Sequence, residues 1–155
     1  MDKVILHAHS NWSHDSKISL KEWLSAMRKN QVNKVYLTEH EESGWSEAKY
    51  EEFKNECALY STKNYKLIPG LELNIDGYHV LAPGLLNYSK RPKKIKDLKL
   101  WVESQGSTLI MAHPTKYKNI PNKILNHCSG IEIKNTKPQY NWFIGPTIRL
   151  SLIHI

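Results

Sequence analysis

The sequence predicts an α/β protein, and three observations support this class. Apolar runs typical of strands alternate along the chain with segments whose apolar residues recur at helical spacing. Two of the strand-like runs flank Asp76 and Gly77, a dipeptide typical of a hairpin turn. A length of 155 residues and an apolar content of 40% fit one globular domain. We therefore predict a largely parallel sheet covered by helices, with functional residues at the carboxyl ends of its strands.

The first half of the chain alternates strand and helix. A strand is predicted at 3–6, and the helix after it begins at a capping box formed by Ser19 and Glu22. A second strand is predicted at 34–40. A loop containing Gly44 then leads to a second helix, predicted at 46–61.

The second half begins with the hairpin, whose two strands lie within 66–84. A third helix follows Pro92 and is predicted to end at Gly106, a residue suited to a C-cap. Strands are predicted at 108–114 and 130–135, with a short helical segment at 122–127 between them.

Composition narrows the functional classes. The formal charge of +7 indicates an anionic partner but does not separate a nucleic acid from a small phosphate ester. Cys57 and Cys128 are isolated, so we predict buried apolar side chains and neither a disulfide nor a thiolate zinc site. No apolar run is long enough to span a membrane and no secretory signal is recognisable, so we expect a soluble, cytoplasmic protein.

Histidines and acids collect at the predicted strand ends. His7 and His9 are two positions apart, so on an extended backbone both imidazoles face the same side and can bind one ion. His40 ends the second strand and His113 lies in the fifth, while the two arms of the hairpin carry Glu72 and His79. One histidine at a strand end is usually just a hydrogen-bonded residue, but this set predicts a metal centre.

Other polar residues receive plainer interpretations. His14 is predicted to be an exposed loop histidine, His127 a structural one, and Trp45 either a rim aromatic or a core residue. The basic run at 89–99 is predicted to be the solvated start of a helix, with a phosphate or nucleic-acid backbone as the alternative partner. Lys116 and Lys118 lie just after His113 and give only weak support for anion binding.

Four motifs in order resemble those of the PHP family, the polymerase and histidinol phosphatase domain. They are "HAHSNWSHDS", "LTEH", "GLEL" followed by "YHVLAPG", and "AHP", and the resemblance covers residues 4–135. It implies a distorted (β/α)7 barrel with a site for two or three divalent ions and hydrolysis of phosphoesters. No P-loop, GxSxG or CxxC motif competes with this interpretation.

The resemblance also implies roles for individual residues. By position, the metal ligands are His7, His9, Asp15, His40, Glu72 and His113, together with His79, which matches a histidine of several subgroups. Asp15, Glu72 and His113 are also assigned to the catalytic set, with Glu72 as the bridging carboxylate. The ions are zinc, manganese or iron, and a hydroxide that bridges them would attack phosphorus in line.

One departure concerns the end of the chain. The family's last metal motif, an Asp-x-His on a late strand, is missing, and His154 has Leu152 where the aspartate would stand. The ending "RLSLIHI" also resembles translated sequencing adapter. We therefore predict a single PHP-like domain at 1–147, incomplete at its C-terminus, and a non-native tail at 148–155. On this hypothesis the parent protein is an active enzyme, whereas the 155-residue chain is not expected to match complete members.

Three functions are compatible with these residues. The first is a phosphoester hydrolase acting on a small phosphorylated metabolite or nucleotide. The alternatives are an exonuclease or nucleic-acid phosphodiesterase, which the basic run favours, and a non-catalytic PHP-like binding module. Every upstream ligand position is occupied, which favours an enzyme over a decayed module. The sequence does not indicate an oligomeric state.

Overall fold

The structure is a computed structural model that describes residues 2–133. The end of the strand predicted at 130–135, His154, the predicted domain boundary at 147 and the predicted tail at 148–155 lie outside the described residues. No helix within 2–133 has the length and apolar character that a membrane span requires.

The described residues form six strands and four α-helices in the predicted alternation. The strands are β1 Val4–Ala8, β2 Lys34–His40, β3 Lys66–Ile75, β4 Tyr78–Pro83, β5 Ile110–Met111 and β6 Gly130–Ile131. The helices are α1 Leu20–Asn30, α2 Glu47–Tyr60, α3 Ile95–Glu103 and α4 Asn122–Leu125. The mixed α/β class is therefore confirmed.

Local signals explain several boundaries. The capping box is present, since the Ser19 hydroxyl accepts from the Glu22 backbone N–H and the Glu22 carboxylate accepts from the Ser19 N–H. The hairpin turns at Asp76 and Gly77, whose φ angles of 53° and 84° suit a primed turn. Helix α3 ends at Glu103 and not at Gly106, because the helical bonding stops at Ser104 and Gly106 adopts φ 72° two residues later.

Two predicted strands differ in length from the observed ones. β1 extends to Ala8 because its pairing with β2 resumes beyond an irregularity between Ile5 and Ala8. β5 covers only Ile110 and Met111. It stops because His113 adopts φ 29° and Pro114 begins a 3₁₀ turn, a backbone course that cannot continue a strand.

The strands lie in sequence order across one sheet, β1-β2-β3-β4-β5-β6. β1, β2 and β3 are parallel, β4 is antiparallel to both β3 and β5, and β5 and β6 are parallel. Because β4 runs the opposite way, its first residues lie beside the last residues of β3. His79 therefore reaches the same edge as the carboxyl ends of the parallel strands.

The sheet curls into a half-barrel. In a flat sheet six strands would separate β1 from β6 by about 24 Å, at about 4.8 Å per step. Instead, His7 at the end of β1 contacts Glu132 just after β6, with 3.0 Å between Nδ1 and Oε1. This curvature is compatible with an incomplete barrel of the expected kind, whereas the (β/α)7 detail stays a prediction.

One buried core joins the sheet to its helices. Met27 of α1, Phe53 of α2 and Leu98 of α3 are fully buried against strand residues such as Leu37 and Leu71. Burying side chains of this size contributes about 1.5–3 kcal/mol each. The core thus fixes the strands whose ends carry the histidines.

Candidate metal centre

Glu72 lies at the centre of the histidine cluster. It is near the middle of β3, and its side chain is 1% exposed. Five imidazoles have a ring nitrogen within 3.5 Å of its carboxylate oxygens, those of His7, His9, His40, His79 and His113. A carboxylate buried this deeply needs such partners, because an unpaired buried charge is strongly unfavourable.

One oxygen of Glu72 faces the first pair of histidines. Oε2 lies 3.1 Å from Nε2 of His7 and 3.1 Å from Nε2 of His9, and these two nitrogens are 3.0 Å apart. Atoms that bind one zinc ion at about 2.0–2.1 Å are about 2.9–3.4 Å from each other at angles between square and tetrahedral. The three distances therefore fit three ligands of one ion.

The irregularity in β1 helps to aim this pair. The pairing with β2 shifts between Ile5 and Ala8, the stretch that contains His7. A bulge of this kind bends the strand and redirects a side chain, and bulges are frequent beside active sites. His9 then follows the last strand residue, and its carbonyl accepts from the indole N–H of Trp23.

The other oxygen of Glu72 faces the second half of the sheet. Oε1 lies 2.6 Å from Nδ1 of His79 and 2.8 Å from Nε2 of His113. His113 has a left-handed backbone, with φ 29° and ψ 61°, which is uncommon for a residue with a β-carbon. Such strain is typical of functional sites, where the surrounding structure enforces it.

His40 lies between two carboxylates. Its Nδ1 is 3.5 Å from Oε2 of Glu72 and 3.6 Å from Oε2 of Glu42, and its Nε2 is 3.5 Å from Oδ2 of Asp15. Nδ1 is buried and has no hydrogen-bond partner among residues 2–133. A buried ring nitrogen without a hydrogen bond is available to bind a metal ion.

Asp15 and Glu42 form the more open side of the cluster. The carboxylate of Asp15 is 36% exposed and accepts from Nδ1 of His9 at 3.0 Å. The carboxylate of Glu42 is 40% exposed, lies 3.6 Å from Nε2 of His79, and accepts from the amide of Asn74 at 2.8 Å. The cluster is therefore most open to solvent on this side.

A second buried carboxylate holds the loop after β1. Glu39, which is fully buried, accepts from the backbone N–H and the hydroxyl of Ser10, the latter at 2.6 Å. The hydroxyl of Ser13 accepts from the backbone N–H of His40 at 2.8 Å. These bonds fix the loop against β2, so that Asp15 returns to His9.

The pKa shifts express the pairing of imidazole and carboxylate. Burial alone would raise the pKa of Glu72, but hydrogen bonds from His113, His7, His79 and His9 hold it far below its usual range. Burial lowers the pKa of His7, yet hydrogen bonds and charges from Glu132 and Glu72 outweigh it and raise the pKa to about 9. Burial lowers the pKa of His40, which favours its neutral form.

The donor set fits divalent metal ions. Three groups each have their ligand atoms within 4.8 Å of one another: His7, His9 and Glu72; His9, Asp15 and His40; and His40, Glu72 and His79. Imidazole and carboxylate ligands suit zinc, manganese and iron. Because His9, His40 and Glu72 each belong to two groups, the arrangement suits adjacent ions that share ligands.

The structure brings all seven predicted ligand positions to one edge of the sheet. Their ligand and catalytic roles remain predictions. Two acids of the cluster, Glu42 and Glu132, were missed by sequence reasoning. Glu132 is an acidic residue in an otherwise apolar strand segment, a signal that could have identified it. Glu42 lies two residues after His40, and nothing else in the sequence around it indicates a place in the cluster.

The residues outside the cluster have simpler surroundings. His14 is exposed as predicted, with its ring nitrogen 3.2 Å from the hydroxyl of Ser43. Nδ1 of His127 lies 2.7 Å from the carbonyl of Lys123, a local structural contact. The ring of Trp45 packs against Trp12, Tyr50 and Phe53, which supports core packing. Cys57 is buried as predicted, Cys128 is partly buried, and both thiols are free.

The basic run divides into two parts. Arg91 is largely buried, pairs with Glu41 at 2.8 Å and donates to the carbonyl of Asn74. Lys93 and Lys94 at the start of α3 are exposed, in accord with a solvated helix start.

Two lysines outside that run, Lys116 and Lys118, line an open groove with Tyr78 and Tyr117.

The comparisons with known proteins agree with the motif analysis. The model of a protein family described as the PHP domain matches residues 6–144. A search of curated proteins finds no match.

Proposed function

The chain belongs to the PHP domain family, and on this premise we propose that it is a metal-dependent hydrolase of phosphoesters. The observation that carries the proposal is the sharing of His9, His40 and Glu72 among three overlapping ligand groups. A binding site for one structural ion would need only one such group. Overlapping groups are typical of sites in which two ions act on one phosphoryl group.

We propose that His7, His9, Asp15, His40, Glu72, His79 and His113 hold two or three divalent ions of zinc, manganese or iron. Such ions, when bound, lower the pKa of a water molecule and neutralise charge on phosphoryl oxygens. Glu72 supplies a permanent negative charge to them, because its low pKa keeps it ionised at neutral pH. Asp15, Glu72 and His113 form the proposed catalytic set.

The chain's own cations contribute little at the site. Among residues 2–133, no lysine or arginine makes an ion pair with Glu72 or Asp15. Arg91 is neutralised by Glu41. A phosphate at this site would therefore depend on the ions for charge compensation, which supports metal dependence.

We propose a small phosphorylated metabolite or nucleotide as the substrate and a cytoplasmic location. The exonuclease alternative is supported by the exposed lysines of the basic run, which would bind a phosphate backbone. The non-catalytic alternative is less well supported, because the cluster retains its ligand residues at every upstream position.

The test is to load the chain with zinc or manganese and measure bound metal together with hydrolysis. Substrates are p-nitrophenyl phosphate, its bis ester and single-stranded DNA. Metal-dependent release of p-nitrophenol from either ester, abolished by a chelator, would support the proposal. Degradation of DNA alone would favour the exonuclease. Bound metal without turnover of any substrate, both in this chain and in a version extended by the downstream coding sequence, would contradict the proposal and favour the binding module.

A further inference from the structure

Glu132 connects two parts of the chain that are far apart in sequence, the end of β1 and the segment at 111–113. Its Oε1 lies 3.0 Å from Nδ1 of His7, and its Oε2 accepts from the backbone N–H of His113 at 2.6 Å. Its own backbone N–H donates to the carbonyl of Met111, which holds it against β5. The residue is 7% exposed, so both bonds are formed away from bulk solvent.

From this geometry we propose that Glu132 is a positioning residue, which accepts the proton of His7 Nδ1 and leaves Nε2 to bind an ion beside Glu72. The inference rests on the metal-binding part of the proposed function. A histidine has two ring nitrogens, and the one that binds a metal must carry no proton. A carboxylate on the opposite nitrogen fixes both the tautomer and the orientation of the ring.

The positions of the two His7 nitrogens agree with this role. Nε2 is the atom that lies 3.0 Å from Nε2 of His9 and 3.1 Å from Glu72, while Nδ1 faces Glu132. Both nitrogens thus face a carboxylate, and a bound ion distinguishes them. With an ion at Nε2, the proton of the neutral ring can only be on Nδ1, where Glu132 accepts it.

The second oxygen gives Glu132 a second effect. The N–H of His113 that it accepts belongs to the residue with the left-handed backbone. The bond therefore helps to hold the strained backbone from which the imidazole of His113 reaches Glu72. One carboxylate thus orients a histidine on each side of Glu72.

The test uses Glu132→Gln, which keeps the shape of the side chain but has only one acceptor oxygen. The amide group must then place a donor against either His7 Nδ1–H or His113 N–H. We expect the zinc affinity, measured by competition with a chromophoric chelator, to fall about 10- to 100-fold. Glu132→Asp keeps two acceptor oxygens on a shorter side chain. Its zinc affinity should lie between those of the wild type and Glu132→Gln. Glu103→Gln, which removes an exposed carboxylate on α3, is the matched control and should match the wild type.

The second measurement reads the tautomer directly. In the zinc-loaded chain with ¹⁵N-labelled histidine, long-range ¹H–¹⁵N spectra should show His7 protonated at Nδ1 and coordinated at Nε2. In Glu132→Gln, the His7 signal for this form should be weaker or should appear together with the signal of the other tautomer. Wild-type His7 coordinated through Nδ1 would overturn the inference, even if the variant did not fold. So would a variant whose zinc affinity stays within twofold of the wild type, or a wild-type chain that binds no zinc.

These outcomes separate the inference from the proposed function. Zinc bound through Nε2 of His7 without hydrolysis of any phosphoester would contradict the hydrolase proposal and support the role of Glu132. Hydrolysis of a phosphoester with zinc bound through Nδ1 of His7 would support the hydrolase proposal and contradict the role of Glu132.

Discussion

The Nε2 atoms of His7 and His9 lie 3.0 Å apart and face the same oxygen of Glu72. Two neutral imidazoles whose lone pairs face each other at this distance repel. The arrangement is stable when one ring carries a proton or when a cation lies between them. The pair is therefore arranged as two ligands of one cation would be.

His9→Ala should remove a ligand from two of the three groups. We expect zinc affinity to fall at least tenfold and phosphoesterase turnover to disappear, with little change in the far-UV circular dichroism, because His9 is not a core side chain. His127→Ala, which removes a histidine just after α4, is the control. Equal metal binding by both variants would remove His9 from the site.

Glu72→Gln should lower the number of ions bound per chain, because it removes a negative charge while keeping the size of the side chain. In the wild type, one carboxylate oxygen lies near His7 and the other near His113. Metal content after gel filtration, measured by mass spectrometry, should drop by at least one ion per chain. Unchanged stoichiometry would show that Glu72 is not shared between ions.

Metal affinity should increase with pH. In the metal-free chain the pKa of His7 is raised from 6.5 to about 9, so near pH 7 an incoming ion must displace a proton from it. Affinity should rise roughly tenfold per pH unit for each proton displaced, up to about pH 9. Titration calorimetry in two buffers of different ionisation enthalpy counts the protons released. An affinity that is constant between pH 6.5 and 8.5 would contradict the prediction.

The two thiols should differ in reactivity. Burial raises the pKa of Cys57 far above its usual range, and burial raises the pKa of Cys128 to about 11. Thiolate is the reactive form, so a disulfide reagent at pH 8 should label Cys128 slowly and Cys57 only after unfolding. The Cys57→Ala variant should lose the label that depends on denaturant. Rapid labelling of both native thiols would contradict the burial seen here.

Gly70→Ala should destabilise the fold. A β-carbon at Gly70 would lie 2.8 Å from the carbonyl oxygen of Ala82 and 3.0 Å from Cα of Pro83, both backbone atoms of β4. Because backbone cannot move aside cheaply, we expect the free energy of unfolding to fall by about 1–3 kcal/mol. Urea denaturation measures it, with the surface substitution Ser25→Ala in α1 as the control. Unchanged stability would mean that β3 and β4 separate easily.

Local sequence signals were sufficient for much of the fold and for the principal cluster. Ser19 and Glu22, the Asp76-Gly77 turn and the alternation of strand and helix depend on neighbouring residues, so the sequence carries them directly. The histidines at strand ends were found because parallel strands finish at one edge. His79 belongs to the same edge only because β4 runs in reverse, which the hairpin signal already implied.

Features that depend on curvature could not be predicted in this way. The contact between His7 and Glu132 spans 125 positions and exists only because the sheet curls. The irregularity between Ile5 and Ala8 also has no local signature. Arg91 was grouped with its basic neighbours, yet its pairing with Glu41 depends on where the chain after β4 packs.

The contact between His7 and Glu132 also constrains when the cluster can assemble. Closing a loop of this length is entropically costly, and such pairings form late compared with local helices and hairpins. During synthesis, the first histidines would leave the ribosome long before the acid that orients one of them. Metal captured at that stage would meet an incomplete set of ligands, so correct loading is expected to follow folding and not to precede it.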